Sequence, residues 1–245
     1  MPIIDRISVD HKFDLLDIGG DANSIGWMRD FFGIVAPLGL NIEQSRLLNI
    51  SACGHSAINM NCFELDDSVK FDFVCMSHFL EHLTSRVGVF EMIQKSINIA
   101  NKVVYISGPL FESDDLIRQY GFKFVWGDWI DHASRYSLSM FSDFFLDHSD
   151  LNATFSLGFG ANPSDDNVVD LYERPNINSY ERDRSRLKNK LEKTLDLPQE
   201  YLIVIDVAKT PTSAALARNA HLRRHGVNGQ NVLEFPHYFR SRYIL

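Results

Sequence analysis

Short apolar runs alternate with segments of helical period through about the first half of the chain, and this alternation limits the fold more than any other feature. The first run, residues 13–18, is followed at once by Gly19 and Gly20 and then by apolar residues three and four positions apart. Residues 79–100 carry the clearest amphipathic helix pattern. Four further runs predict strands, at residues 34–42, 60–65, 71–76 and 103–107. Strands joined in this way by helices indicate a parallel sheet covered by helices.

The second half of the chain is less regular. Its predicted elements are helices at residues 113–120, 138–146 and 181–195 and strands at residues 122–126, 153–159 and 201–208. The polar segment 161–185 is predicted to be a loop or a mobile cover.

The charge balance bears on the partners of the chain. Its 245 residues include 24 Lys and Arg against 32 Asp and Glu, which gives a net charge of -8. This balance argues against a protein that coats nucleic acid or anionic lipid, so we expect neither as a partner. From Lys209 onwards, six basic residues stand against the single Glu234, so the tail carries a charge of about +5. Residues 213–225 of the tail predict a helix that is either solvated and tied to the acidic body or recruits an anionic substrate or partner.

The cysteines and the N-terminus bear on the cellular compartment. Cys53, Cys62 and Cys75 form no CxxC pair and lie in or beside apolar stretches, which indicates reduced thiols of a cytoplasmic protein. The first residues lack a cationic stretch followed by an apolar one, and no segment approaches the roughly 18 apolar residues of a membrane span. We therefore predict neither secretion nor membrane insertion.

The turn after the first strand is the first candidate binding site. In open α/β sheets, ligands bind outside the carboxyl ends of the strands, and this turn is the usual place. Asp17, Gly19 and Gly20 lie there, followed by the predicted helix start at Asn23 or Ser24. Glycines let a backbone approach a ligand closely, and a helix N-terminus offers free N–H groups. The alternative is a tight structural turn.

A second segment adds a more specific signal. Residues 71–83 read FDFVCMSHFLEHL, and Leu16-Asp17-Ile18-Gly19 precedes them in the first turn. Together the two segments resemble the class I S-adenosylmethionine-dependent methyltransferases, especially the broad group with an SxxLEHL pattern after its fourth strand. The resemblance covers about residues 13–110, and residues 201–208 look like the late strand of that family.

This resemblance implies the fold class and the domain organisation. It implies a doubly wound, mostly parallel, seven-stranded Rossmann-like sheet with helices on both faces, and S-adenosyl-L-methionine as cofactor. The methyltransferase-like domain is predicted at residues 1–208, with an acceptor-side insertion or cap in residues 128–200. Residues 209–245 are then a basic C-terminal extension.

The resemblance assigns the cofactor site position by position. Asp17, Gly19 and Gly20 line the methionine end of the cofactor. Asp21 stands where a second glycine is common, and its carboxylate is predicted to lie near the amino group of the cofactor. Asn23 replaces a third common glycine.

The next strand ends supply the remaining cofactor contacts. Asn41 falls where the family usually has an acidic ribose ligand, and Glu43 is an alternative. Asn61 is predicted on the adenine side, and Ser77 and His78 are predicted to face the cofactor from the fourth strand.

Histidines are the candidate bases for the acceptor. Methyl transfer from a sulfonium requires alignment and, for a hydroxyl or amine acceptor, removal of a proton. His132 and His82 are predicted catalytic residues; the alternative for each is a structural role, which is the commoner one for a single histidine, and His82 with Glu81 can instead line the site. Residues 126–132, with two Trp, two Asp and His132, form either an acceptor pocket or a packed loop. No metal is predicted, because His132 with Asp128 and Asp131 is too unspecific a pattern.

These observations predict an S-adenosylmethionine-dependent methyltransferase, acting on oxygen of a small-molecule or glycan-like acceptor. A non-catalytic binding or scaffold protein of the same fold is the first alternative, because Asp21, Asn23 and Asn41 replace the usual residues. A nicotinamide oxidoreductase is disfavoured by the absence of GxGxxG. Homo-oligomerisation stays open.

Overall fold

A nine-stranded sheet runs through the computed structural model, which describes residues 3–159, 168–172, 197–225 and 233–234. Its strands are β1 (Ile3–Ile4), β2 (Leu15–Ile18), β3 (Pro37–Asn41), β4 (Ser56–Asn59), β5 (Phe71–Ser77), β6 (Ala100–Pro109), β8 (Asn152–Phe159), β10 (Pro198–Asp206) and β11 (Leu233–Glu234). β7 (Phe122–Phe124) and β9 (Val168–Asp170) form a separate antiparallel pair.

The strand order is β1-β4-β3-β2-β5-β6-β10-β8-β11. The strands from β1 to β6 pair in parallel, and β10 lies antiparallel between β6 and β8. The predicted mostly parallel sheet is therefore confirmed. Seven strands make up its body, and the two-residue strands β1 and β11 extend its edges.

Six helices accompany the strands in the described part of the chain. They are α1 (Ala22–Phe32), α2 (Gln44–Ala52), α3 (Arg86–Ile99), α4 (Phe111–Arg118), α5 (Leu138–Asp147) and α6 (Pro211–His225). Two short 3₁₀ helices cover Cys62–Glu64 and Leu80–His82. None of the described helices has the length and hydropathy that a membrane-spanning helix requires.

The helices cover both faces of the sheet, because alternate strand residues point to opposite sides. Leu16 and Ile18 of β2 belong to a core shared with α3 and α5. Leu15 of the same strand belongs to a second core, which is shared with α1 and α6. The predicted doubly wound arrangement is thus present.

Two of the described elements differ from the sequence prediction by more than three residues at a boundary. The predicted strand at residues 60–65 is instead the 3₁₀ helix Cys62–Glu64, and the strand lies earlier, at Ser56–Asn59. The amphipathic helix starts at Arg86 rather than residue 79, because the Ser85 side chain accepts a hydrogen bond from the Gly88 backbone and caps it there. Residues 79–85 therefore lie outside this α-helix, between the end of β5 and the start of α3.

The helix α6 is a correction to the solvated helix predicted at residues 213–225. Ala217 and Ala220 are buried in the core between α6 and the sheet. The Nδ1 and Nε2 atoms of His221 lie 2.6 Å from Ser156 Oγ and 2.9 Å from Thr154 Oγ1 of β8. This helix therefore completes the second face of the sheet.

Other predictions lie partly or wholly outside the described residues. The exposed helix at 181–195 lies outside them, as does most of segment 161–185, in which β9 and the turn after it are described. All three cysteines are free thiols; Cys62 and Cys75 are buried and Cys53 is exposed.

Candidate active site

The turn between β2 and α1 holds two glycines in close packing. Gly19 has φ +74°, a left-handed conformation that favours glycine, and a Cβ there would lie 2.3 Å from Cδ2 of Phe79. A Cβ on Gly20 would lie 2.5 Å from Oδ2 of Asp17. The close packing of the turn therefore explains why both positions are glycine, whether or not a ligand binds there.

Asp17 lies fully buried beneath this turn. The Ser24 hydroxyl donates a 2.6 Å hydrogen bond to Oδ2, whereas Oδ1 is buried with no hydrogen-bond partner among the described residues. Burial raises the pKa of Asp17 to about 7, and the Ser24 hydrogen bond offsets only part of this effect. A buried oxygen without a partner is costly, which makes Oδ1 a candidate ligand contact.

Asp21 caps the helix that follows. Its Oδ1 accepts hydrogen bonds of 2.8 and 2.9 Å from the backbone N–H groups of Asn23 and Ser24, and Ser24 Oγ accepts from the Asp21 N–H. The N-cap is therefore Asp21, not Asn23 or Ser24 as predicted. The helix N-terminus thus holds Oδ1 of Asp21 in place through two backbone donors. If Asp21 also contacts the cofactor, the same carboxylate must serve both the helix cap and the cofactor.

Asn41 ends β3 with all of its amide groups engaged. Its Nδ2 donates to the carbonyl oxygens of Gly19 and Gly20 at 3.1 and 2.9 Å, and its Oδ1 accepts from the Glu43 N–H at 2.9 Å. The residue is only 6% exposed. Asn41 thus fixes the glycine turn, whereas the Glu43 side chain is 57% exposed and forms a surface salt bridge with Arg46.

The predicted residues on the following strands sit close to the strand ends. Asn61 Oδ1 accepts from the Phe63 N–H and caps the 3₁₀ helix after β4. Ser77 Oγ at the end of β5 lies 3.1 Å from Ser107 Oγ of β6. The sheet therefore brings the ends of β2 to β6 to one edge.

His78 follows β5 in the left-handed region, with φ 50°. Such backbone costs a non-glycine residue about 1–2 kcal/mol and is common at functional sites. Its Nε2 lies 3.1 Å from Glu200 Oε1, and its Nδ1 lies 3.5 Å from Glu81 Oε1. Partial burial favours the neutral ring, but the two carboxylates outweigh it and raise the pKa of His78 to about 9. His78 is therefore a cation near neutral pH.

The two predicted catalytic histidines, 50 residues apart in sequence, meet beside Glu81. The rings of His82 and His132 are 5.2 Å apart, and one ligand atom from each of Glu81, His82 and His132 lies within 4.8 Å of the others. The Ser134 N–H donates to the Glu81 carbonyl at 3.0 Å and so ties the loop of His132 to the 3₁₀ helix of His82. Burial lowers the pKa of His132, and the attraction of Glu81 offsets this only in part. His132 is therefore neutral near pH 7.

Several residues of the aromatic segment 126–132 pack within the fold. Trp126 stacks on Phe124 at 5.0 Å, and Asp128 forms salt bridges with Arg118 and Lys123, so these residues hold the loop. Trp129 lies 5.1 Å from the ring of His132. The packed-loop alternative therefore holds for Trp126 and Asp128, and the acceptor pocket stays a prediction for Trp129 and His132.

Sequence reasoning missed the residues that β10 adds. Tyr201 donates to Tyr136 Oη at 3.0 Å, and Tyr136 donates to Glu81 Oε2 at 3.2 Å. Burial raises the pKa of both tyrosines well above the usual value, so both stay protonated. Gly108, which pairs with Tyr201 in the sheet, leaves the space for these two hydroxyls. The only sequence signal was an apolar strand at 201–208, and its antiparallel register was not visible there.

Comparison with solved structures places the fold. A SAM-dependent methyltransferase from Archaeoglobus fulgidus matches 78% of this chain and 85% of its own, with 19% identity and a TM-score of 0.50. A complex of the Haloferax volcanii Trm112 methyltransferase activator with a methyltransferase gives 15% identity, 84% and 85% coverage and a TM-score of 0.50. No family model matches the sequence, and no curated protein is significantly similar to it. The chain has the fold of class I SAM-dependent methyltransferases.

Proposed function

We propose that this protein is an S-adenosylmethionine-dependent methyltransferase that methylates an oxygen atom of a small-molecule or glycan-like acceptor. One observation carries the proposal. The glycine turn follows β2, Glu81 and His82 follow β5, and β2 and β5 are direct neighbours in the sheet. His132 joins Glu81 and His82 from the loop after β7. A donor bound at the turn and an acceptor bound at the cluster would therefore lie side by side at one edge of a class I fold.

The residues of the turn fit the cofactor in part. Asp17 Oδ1 is a buried acceptor without a partner, suited to a cationic amino group. Asn41 has no free amide group for a ribose, so Glu43, exposed two residues later, is the better candidate for the ribose hydroxyls. The cofactor supplies an activated methyl group, and the chain holds the cofactor in place.

The histidines divide the remaining tasks. His132, neutral near pH 7 because burial lowers its pKa, is suited to accept a proton from an acceptor hydroxyl. His78 is cationic and held between Glu81 and Glu200, so it is suited to orient acidic groups rather than to act as a base.

The acceptor is proposed to bind on the side of residues 128–200. Trp129 offers an indole ring beside His132, and its Nε1 is buried without a hydrogen-bond partner in the described structure. Indole rings and free donors suit hydroxylated ring compounds. In this proposal, residues 1–208 carry both sites.

Calorimetric titration of the full chain with S-adenosylmethionine and S-adenosylhomocysteine tests the function. We expect saturable binding and a rise in the melting temperature, since a ligand at 100 times its Kd stabilises by about 2.7 kcal/mol. His132→Gln should keep the affinity and lose about 10²- to 10⁴-fold in turnover with hydroxylated acceptors. His148→Gln, at the end of α5, is the matched control and should retain both.

The alternative is a non-catalytic protein of the same fold. It is favoured by Phe79, whose ring packs against Gly19, and by the engagement of Asn41 within the turn. Absence of heat and of any thermal shift at millimolar S-adenosylmethionine would overturn the enzyme and leave this alternative.

A further inference from the structure

Two buried polar atoms without a hydrogen bond to the described residues lie in the cluster of Glu81, His82 and His132. The Glu81 side chain is 0% exposed; its Oε2 accepts from Tyr136, but its Oε1 makes no hydrogen bond within the described residues. Nδ1 of His132 is likewise buried without a partner there. A buried polar atom that makes no hydrogen bond destabilises the folded chain. Two of them in one cluster indicate that a ligand completes it.

His82 is held in the tautomer of a metal ligand. Its Nδ1 lies 2.9 Å from the carbonyl oxygen of Asp131, which can only accept a hydrogen bond, so Nδ1 carries the hydrogen. The lone pair is then on Nε2. Histidines that bind metals commonly donate their second ring N–H to a backbone carbonyl in this way, which fixes the ring and raises its basicity.

We propose that Glu81, His82 and His132 form a binding site for a divalent transition-metal ion. One carboxylate and two imidazoles are a ligand set for Zn²⁺ and similar ions, and three protein ligands leave a coordination position open. The ligand atoms lie within 4.8 Å of one another, whereas metal bonds of about 2.1 Å in a tetrahedral site place them roughly 3.4 Å apart. Ion binding would therefore bring the most widely separated ligand atoms closer together by up to about 1.4 Å.

His78 competes with the ion for Glu81. Its Nδ1 lies 3.5 Å from Glu81 Oε1, the same oxygen that has no hydrogen bond. An ion bound to this oxygen would have to displace the ring of His78. Removing this ring should therefore leave ion affinity unchanged or raise it, which distinguishes His78 from the three ligands.

The role of the ion in catalysis rests on the proposed function. An ion bound to His132 would occupy the ring lone pair that otherwise accepts the proton, so His132 would then act as a ligand and not as the base. An acceptor hydroxyl at the open position would instead lose its proton to solvent, because the ion lowers its pKa. The oxygen then forms the O–C bond to the methyl group while the C–S bond breaks and its electron pair stays on sulfur. This step leaves the neutral thioether, so charge and atoms balance.

Titration of the full chain, freed of metal by chelation, with ZnCl₂ and separately with MnCl₂ tests the site. We expect one ion per chain and at least a tenfold loss of affinity in His82→Gln and in His132→Gln. His148→Gln is the matched control for adventitious histidine binding and should behave as the unmodified chain. His78→Gln should bind at least as tightly as the unmodified chain.

Melting curves of the metal-free variants establish that each one folds, and Glu81→Gln is used only if it does. Equal affinity in the unmodified chain, His82→Gln and His132→Gln, or no binding at all, would overturn the site. Loss of affinity in His78→Gln would also contradict it. Because the titration needs no cofactor, metal binding without S-adenosylmethionine binding would remove the proposed function and leave the site standing.

Discussion

Asn41 is a residue whose position suggests one role and whose contacts establish another. By resemblance it stands where a ribose ligand is expected. In the structure its amide hydrogens hold the carbonyls of Gly19 and Gly20, and its oxygen holds the Glu43 N–H. A carboxylate at this position would set a charged acceptor against two carbonyl acceptors. The amide is therefore required by the turn itself.

We expect Asn41→Asp to lower both stability and cofactor affinity. Loss of two buried hydrogen bonds and the added repulsion should cost about 1–3 kcal/mol. Urea unfolding and calorimetric titration with S-adenosylmethionine measure the two effects. Asn49→Asp, on the exposed side of α2, is the matched control and should leave cofactor affinity unchanged and stability within about 0.5 kcal/mol. Tighter cofactor binding by Asn41→Asp at unchanged stability would instead identify Asn41 as a ribose ligand.

The raised pKa of Asp17 predicts that the free energy of unfolding depends on pH. Burial raises its pKa in the folded chain to about 7, against 3.8 as the ordinary value. The folded state therefore holds this proton more tightly than the unfolded state. The resulting stabilisation is fully present below about pH 4 and is lost as the pH rises through 7. The difference corresponds to about 4 kcal/mol.

We expect Asp17→Asn to gain stability relative to the unmodified chain between pH 4 and pH 8, because the amide never ionises. Urea unfolding at both pH values measures the gain, which should reach a few kcal/mol. The exposed Asp10→Asn provides the control and should change stability by a similar small amount at both pH values. A gain that is the same at pH 4 and pH 8 would show that Asp17 does not titrate in this range.

At the scale of elements, α6 shows why charge alone is a poor guide to placement. The tail that contains it is basic, which suggests a solvated helix. Its small residues nevertheless recur on one side, and Ala217 and Ala220 pack against the sheet with Leu202 and Val204 of β10. Small side chains allow close approach of a helix to a sheet without a long apolar stripe in the sequence.

We expect Ala220→Asp to destabilise the protein by about 3 kcal/mol or more, because it buries a charge against the sheet. Ala215→Asp, on the exposed side of the same helix, should cost less than about 0.5 kcal/mol. Thermal unfolding compares the two. Similar melting temperatures for both variants would mean that α6 is detached from the sheet.

At the scale of the whole molecule, the sheet order assembles the site. β2 and β5 are neighbours although 52 residues separate the end of β2, Ile18, from the start of β5, Phe71. β10 inserts antiparallel beside β6 and brings Glu200 to His78 and Tyr201 to Tyr136. Contacts of this range depend on the complete topology.

The net charge of -8 gives a prediction for the molecule as a whole. We expect no measurable binding to a random-sequence duplex or to vesicles containing phosphatidylserine at physiological ionic strength, because the balance of charge is repulsive. Fluorescence anisotropy and vesicle sedimentation are suitable measurements. Binding that weakens steeply with salt would contradict this expectation and assign recruitment to the basic tail.

The sequence by itself determined the parallel α/β sheet, the glycine turn and the candidate residues at the strand ends. These are local properties, because hydrophobic period, turn chemistry and short motifs are each written within a few neighbouring residues. The sequence also identified His82 and His132 as candidate catalytic histidines. It could not show that they meet, nor that Asn41 and Asp21 are occupied by the backbone.

Only the tertiary structure decided those points. The pairing of His82 with His132 depends on where the loop after β7 returns, and the engagement of Asn41 depends on the register of β3 against β2. The burial that raises the pKa of Asp17 and lowers that of His132 arises from packing of segments distant in sequence. Distances and burial are properties of the folded chain, and they turn a set of residues into a site.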